Sequence, residues 1–244
     1  MMEEVFVQYL NKICESEGFV RNYEKIRDNL GLSLDEVKKF RLFLLEHEII
    51  TEEKIDCGLC EECSENANVI DFEKGILKCS RGHQTVVDPI FLLDITIKPS
   101  SIASFLRKKL NLKKSSFNKD VYSHLGIEFI SSITESDIPI NFILSLKHMS
   151  IKEFYAISGS ELTNEGMNIV FYNNESFSKE IISYLNLISC IKVVSFSDAL
   201  NDYEKILKNI STETKEKIKV QNWLKQKYLG YHSQKLKKEK VVKR

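Results

Sequence analysis

The run Cys57-Gly58-Leu59-Cys60-Glu61-Glu62-Cys63, then after fifteen intervening residues Cys79-Ser80-Arg81-Gly82-His83, narrows the possible folds of this chain more than any other feature. Zinc takes four thiolate or imidazole ligands in a tetrahedron, and a tight turn aims two sequence-close side chains at one point. Cys79 and His83 form one such pair. The other is Cys57 with Cys60 or Cys60 with Cys63, so Cys60 is common to both. Cys57 follows the alternating Lys54-Ile55-Asp56 as a strand residue would, whereas Cys63 lies nearer the next strand pair. Spacing alone does not choose between them.

These candidates suffice to close a coordination shell, and no His-x-Glu or His-Glu-x-x-His adjoins them. A catalytic zinc keeps one position for water, so a structural site is expected. Between the pairs, Asn68–Phe72 and Gly75–Lys78 read as two short strands around Glu73-Lys74-Gly75. This arrangement resembles a zinc ribbon. So small a hairpin buries little apolar surface, and bound metal would supply most of its folding energy.

The chain has six cysteines in all. The opening Met1-Met2-Glu3-Glu4 is acidic and lacks the basic start and apolar run of a secretory signal. The longest apolar stretch, Ile181–Phe196, is broken by Ser183, Asn186, Ser189 and Lys192, too polar to span a bilayer. A soluble cytoplasmic protein is expected, with no membrane partner, and its cysteines should be reduced. Cys14 and Cys190, in apolar surroundings, read as core residues.

The first fifty residues read as three helices. Val5, Phe6, Tyr9, Leu10 and Ile13 recur at helical spacing. Tyr23, Ile26, Arg27 and Leu30 make a second, short helix closed by Gly31. Ser33 and Glu36 have the form of a capping box, which satisfies free amides at a helix start. Val37, Phe40, Leu44 and Leu45 continue that helix before Ile49-Ile50 exits toward a strand. Over residues 3–56 this order resembles a winged-helix domain. The resemblance implies a third helix able to enter a DNA groove, here offering Lys38, Lys39 and Arg41 among Asp35, Glu36, Glu46 and Glu48. Phosphate contacts need net positive charge, yet residues 1–95 hold 11 Lys/Arg against 20 Asp/Glu. Docking of a partner protein is therefore expected of this unit in preference to reading DNA.

Positive charge lies further along. Residues 98–119 carry Lys98, Arg107, Lys108, Lys109, Lys113, Lys114 and Lys119 without an acidic residue, and read as a basic linker with one helix. Residues 211–244 hold 11 Lys/Arg against 3 Asp/Glu. There Lys225, Lys227, Lys235, Lys237, Lys238, Lys240, Lys243 and Arg244, with Trp223, Tyr228 and Tyr231, suit a phosphate backbone and stacked bases. A solvated tail, or one folded onto the acidic front, fits the same composition.

Between these basic stretches the pattern is strand, helix, strand, helix, strand. Strands are expected at Val121–Ile130, Ile138–Leu146, Met167–Tyr172 and Ile191–Phe196, and helices at Ile151–Leu162 and Phe177–Ile188, giving a mainly parallel sheet. Restriction-type nucleases place an acidic residue on one strand and Glu/Asp-x-Lys on the next. Glu128, Asp137 and Lys147 could fill those roles, but Ser145 stands where the second carboxylate belongs, and the loss weakens Mg²⁺ binding. Nucleotide-binding glycine loops and a Gly-x-Ser-x-Gly elbow are absent.

The fold class expected is mixed α+β and α/β: a winged-helix-like unit (1–53), a zinc ribbon (54–97), a basic linker helix (98–120), an α/β unit (121–232) and a basic tail (233–244). The function expected is that of a non-catalytic adaptor in a nucleic-acid-handling complex. It would carry structural Zn²⁺, dock an ATPase or nuclease, and touch DNA or RNA through its basic stretches. The architecture resembles that of small accessory subunits in prokaryotic antiviral defence systems. The alternatives are a metal-dependent nuclease, active or inactivated, and a winged-helix DNA-binding regulator.

Overall fold

The structure, a computed structural model, describes residues 2–15, 21–113, 127–135, 138–146, 167–173, 182–183, 191–206 and 208–209. It is mixed α and β, with antiparallel and mixed sheets.

Three helices open the chain: α1 (Met2–Glu15), α2 (Tyr23–Leu30) and α3 (Leu34–Glu46). Each begins or ends where local chemistry dictates. The Asn22 carboxamide accepts the Glu24 and Lys25 amides at the start of α2, and Gly31, in the left-handed region at φ 63°, closes it. The Ser33 hydroxyl accepts the Glu36 amide, and the Glu36 carboxylate accepts the Ser33 amide, forming a complete capping box. The apolar faces of the three helices meet through Phe6, Tyr9, Leu10, Ile26, Val37, Phe40 and Leu44, all wholly buried. Each such side chain contributes roughly 1.5–3 kcal/mol by leaving water.

Strand β1 (Ile50–Lys54) leaves this bundle, and its partner lies far down the chain. β6 (Leu93–Ile97) pairs with it antiparallel, with Ile50 opposite Ile97 and Lys54 opposite Leu93. The intervening residues form a separate antiparallel sheet of β2 (Cys57–Leu59), β3 (Asn66–Asp71), β4 (Ile76–Cys79) and β5 (Gln84–Val86), in that order. The four-stranded sheet is thus inserted between the two strands of the β1–β6 pair. Residues 93–97, grouped on sequence with the candidate metal-binding segment, pair with β1 and not with the inserted sheet.

The stretch expected as a basic linker with one helix packs on the core through that helix. Helix α4 (Pro99–Lys109) buries Ile102, Ala103, Phe105 and Leu106. Phe105 packs edge-on against Phe6 at 5.1 Å and Phe43 at 5.8 Å.

The second half contributes β7 (Ile127–Glu135), β8 (Ile138–Ser145), β9 (Met167–Phe171) and β10 (Ile191–Val194), with order β10-β9-β8-β7. β8, β9 and β10 run parallel, but β7 is antiparallel to β8. The sheet is mainly parallel, as expected, and is mixed because β7 is its one antiparallel strand. Only Ser136 and Asp137 separate β7 from β8, and a two-residue connection makes a hairpin, never a crossover. Hairpin pairing also draws the polar Ser131–Glu135 into β7, so of the strand expected over Val121–Ile130 the described part begins at Ile127 and continues to Glu135, while residues 121–126 lie outside the described residues. The helix expected at Ile151–Leu162 lies outside the described residues, as does nearly all of that at Phe177–Ile188. Helix α5 (Phe196–Asn201) follows β10.

The two halves share a core. One cluster of buried side chains runs from Phe6 through α3 and α4 to Phe142, Phe171 and Phe196. The Cys14 thiol donates to the Ser145 carbonyl at 3.6 Å, and the Asn173 carboxamide donates to the Asn11 carbonyl at 3.2 Å, so α1 rests against the mixed sheet. Cys14 is buried, as expected; Cys190 lies outside the described residues.

Candidate metal centre

Two turns at the same end of the inserted sheet build the site. The first links β2 to β3. The Cys60 amide donates to the Glu65 carbonyl and the Ser64 amide to the Cys60 carbonyl, both at 2.8 Å, while Ser64 takes a left-handed backbone at φ 56°. The second links β4 to β5. The Gly82 amide donates to the Cys79 carbonyl at 3.0 Å and the Cys79 amide to the His83 carbonyl at 3.1 Å, with Gly82 at φ 88°. Ala67 lies opposite Cys79 in the β3–β4 pairing, so both turns open on one point.

There the Sγ atoms of Cys60, Cys63 and Cys79 and a ring nitrogen of His83 all lie within 4.8 Å of one another. Cys63 Sγ is 3.7 Å from Cys79 Sγ, and Cys60 Sγ is 3.9 Å from His83 Nδ1. A tetrahedral ion with sulfur arms of about 2.3 Å has S···S edges of about 3.8 Å, so the pocket already has those dimensions. Three sulfurs and one imidazole are close enough to bind a metal ion and enough to complete a four-coordinate shell. Cys60 and Cys79 are buried against Ala67, Leu77 and Leu92, which seal the inner side.

This arrangement resolves the choice the spacing left open. Cys57 is not in the cluster. It sits on β2 opposite Asn68 and faces solvent. A strand alternates its side chains between faces, whereas the Cys60–Cys63 turn aims both sulfurs inward.

Thiol chemistry inside the cluster is uneven. Burial opposes ionisation of Cys60, but the backbone amides of Cys63 and Glu62 and the Cys63 and His83 side chains outweigh it, bringing the thiol down to about 6. The Glu65 amide pulls Cys63 the same way. Burial and the adjacent Cys60 and Cys79 sulfurs overcome that pull and raise Cys63 to about 11. A cation between the sulfurs removes the repulsion that holds the second proton on.

One residue that joins the two turns belongs to no motif in the sequence. The Glu65 carboxylate accepts Ser80 Oγ at 2.9 Å and the Arg81 guanidinium at 2.6 Å, joining the first turn to the second. Glu62 also lies 3.5 Å from His83 Nδ1. Gly75, at the β3–β4 turn, is required sterically. Its φ is 66°, its carbonyl accepts the Val87 amide, and a Cβ there would meet the Val87 oxygen at 1.8 Å.

The other candidate residues fare differently. Arg107 donates to the Ile130 carbonyl and to Ser104 Oγ, and Lys109 pairs with Glu3 at 2.6 Å, so both are engaged within the fold. Lys108 is exposed on α4, and the Lys113 carbonyl accepts the Ser131 hydroxyl. Lys114, Lys225, Lys227, Lys235, Lys237 and Lys238 lie outside the described residues. Of the nuclease candidates, Glu128 stands on β7 opposite Leu144. Asp137 and Lys147 lie outside the described residues.

On α3, Lys38 is paired with Asp88 at 2.7 Å. Arg41 forks onto the Glu52 carboxylate at 2.8 and 2.7 Å, and the Tyr23 hydroxyl donates to the same carboxylate. The basic residues that a DNA-reading helix would present are thus partly neutralised from within. Among the described residues no helix is long and apolar enough to cross a membrane. Neither a protein-family model nor a curated protein nor a solved structure matches the chain.

Proposed function

We propose that the chain is a non-catalytic adaptor: a winged helix whose wing carries a zinc ribbon, fused to an α/β unit, that docks a protein partner in a nucleic-acid-handling complex. The carrying observation is the third helix, where two of its three cations are paired within the fold. Lys38 and Arg41 are held by Asp88 and Glu52, while Leu42 stands 62% exposed on the same helix. Phosphate binding needs free cations, and an exposed apolar side chain among neutralised charges suits a protein surface better.

Zinc is the metal this reading assigns. The donor set of three thiols and one imidazole is soft to borderline, and its dimensions are tetrahedral. Cys60, Cys63, Cys79 and His83 would hold the ion and fill its shell, leaving no position for a substrate. The role is to lock the two turns together. Nucleic-acid contact in this reading falls to Lys108, Lys113 and Lys114 and to the Lys-rich stretch 225–244, since Arg107 and Lys109 are engaged internally. An antiviral setting rests on the likeness of architecture alone.

A pull-down from the native host at low salt, with nuclease treatment and mass spectrometry, tests the adaptor reading. A stoichiometric ATPase or nuclease partner that survives nuclease treatment is the expected result. Recovery of DNA or RNA without a protein partner would overturn it.

A further inference from the structure

The inserted sheet has an edge suited to receive another strand. β2 pairs with β3 alone and ends the sheet. Pairing in an antiparallel ladder alternates along the strand. Asp56 accepts from Val69 and Cys60 donates to Glu65, which places the inward-bonding positions at 56, 58 and 60. The backbone N–H and C=O groups of Cys57 and Leu59 therefore point outward, and β2 is their open edge among the described residues. Proteins ordinarily blunt such an edge by shortness, Lys, Pro or a bulge. Cys57-Gly58-Leu59 is short but has no Lys, Pro or bulge, and Leu59 is 68% exposed.

Beside this edge lies a groove of about 640 Å³ between β2 and the start of α2. Ile55, Phe91 and Leu92 supply its apolar lining; Glu24, Lys25 and Glu61 line it as well. Exposed carboxylates bracket the strand, with Asp56 before it and Glu61 and Glu62 after it. Residues 50–90 as a whole hold nine Asp/Glu against four Lys/Arg.

We propose that β2 receives an extended basic peptide of a partner protein as a fifth strand, with main-chain hydrogen bonds to Cys57 and Leu59. Its apolar residues would enter the groove and its Lys or Arg residues would face Asp56, Glu61 and Glu62. Strand addition draws affinity from the backbone and specificity from alternate side chains, and the carboxylates select the charge. This deepens the adaptor reading by naming a docking site and its partner's chemistry, and rests on that reading.

The test selects displayed random peptides on the full-length chain, then measures binding of the enriched peptides, synthesised with a fluorophore. Peptides alternating Lys or Arg with apolar residues are expected. Leu59→Pro removes an outward amide while sparing the bonds to β3, because proline is tolerated where an edge N–H faces solvent. It should weaken binding by about tenfold or more, while Leu59→Val, which keeps the amide, should not. Glu61→Lys, a change at an exposed position, should weaken it similarly. Unchanged metal content in each variant shows that the turns remain formed. Enrichment of acidic or charge-indifferent peptides, binding indifferent to Leu59→Pro and Glu61→Lys, or no enrichment would overturn the proposal. A partner still captured from the host by Leu59→Pro would leave the adaptor standing and remove only this docking site.

Discussion

Glu65 and Arg81, sixteen residues apart in the chain, meet at 2.6 Å and join the two turns that carry the candidate metal ligands. Ser80 adds a second bond to the same carboxylate. Metal affinity depends on how well such outer contacts hold the ligands in place. Glu65→Ala should therefore lower zinc affinity by about tenfold without changing the stoichiometry. Competition against a chromogenic chelator measures this directly, and unchanged affinity would show that the turns hold themselves.

Cys57 and Cys63 are equivalent by spacing and distinct in space. Cys57→Ser should leave one tightly bound metal per chain. Cys63→Ser should reduce affinity strongly and expose the inserted sheet to proteolysis, because on the zinc reading bound metal would supply much of its folding energy. Elemental analysis with limited proteolysis separates the two. Equal loss in both variants would contradict the geometry.

Glu52 links three elements by accepting from Arg41 of α3 and Tyr23 of α2. Burial alone would raise its carboxyl, but the Arg41 fork, the Tyr23 hydroxyl and the Arg41 charge outweigh burial and hold it below 4.5. A group depressed in the folded state stabilises above its unfolded value and loses that contribution as pH falls through the folded one. Stability at neutral pH should therefore exceed that of Glu52→Gln by about 1.5–3 kcal/mol. The difference should shrink as pH falls below 4.5. Urea unfolding at neutral and acid pH reads both, and a pH-independent difference would remove the charged pairing as its cause.

Gly75→Ala should destabilise the inserted sheet by more than about 1 kcal/mol, since the residue holds φ 66° and a Cβ would strike the Val87 oxygen. The melting temperature of the metal-loaded protein, followed with a probe on that sheet, reports it. An unchanged melt would mean that β5 shifts freely away.

Much of the local structure was legible in the sequence. Ser33 and Glu36 announced the start of α3, Gly31 the end of α2, and the spacing of Phe6, Tyr9, Leu10 and Ile13 the buried face of α1. These are interactions among near neighbours, and the residues that make them lie within a turn or two of one another. Candidate ligands were legible for the same reason, since each turn brings its own pair together. The pairing of β1 with β6 was not, because Lys54 and Leu93 are far apart in the chain with the whole inserted sheet between them.

The sequence by itself determined that a Cys/His cluster would form, which helices would frame the front of the chain, and where charge would accumulate. Tertiary structure alone decided that Cys63 and not Cys57 joins the cluster, that Glu65 ties its two turns, and that Arg107, Lys109, Lys38 and Arg41 are engaged internally. Side-chain type and short-range spacing are written along the chain. Which face of a strand a residue occupies, and which distant charge it meets, depends on how separate elements pack.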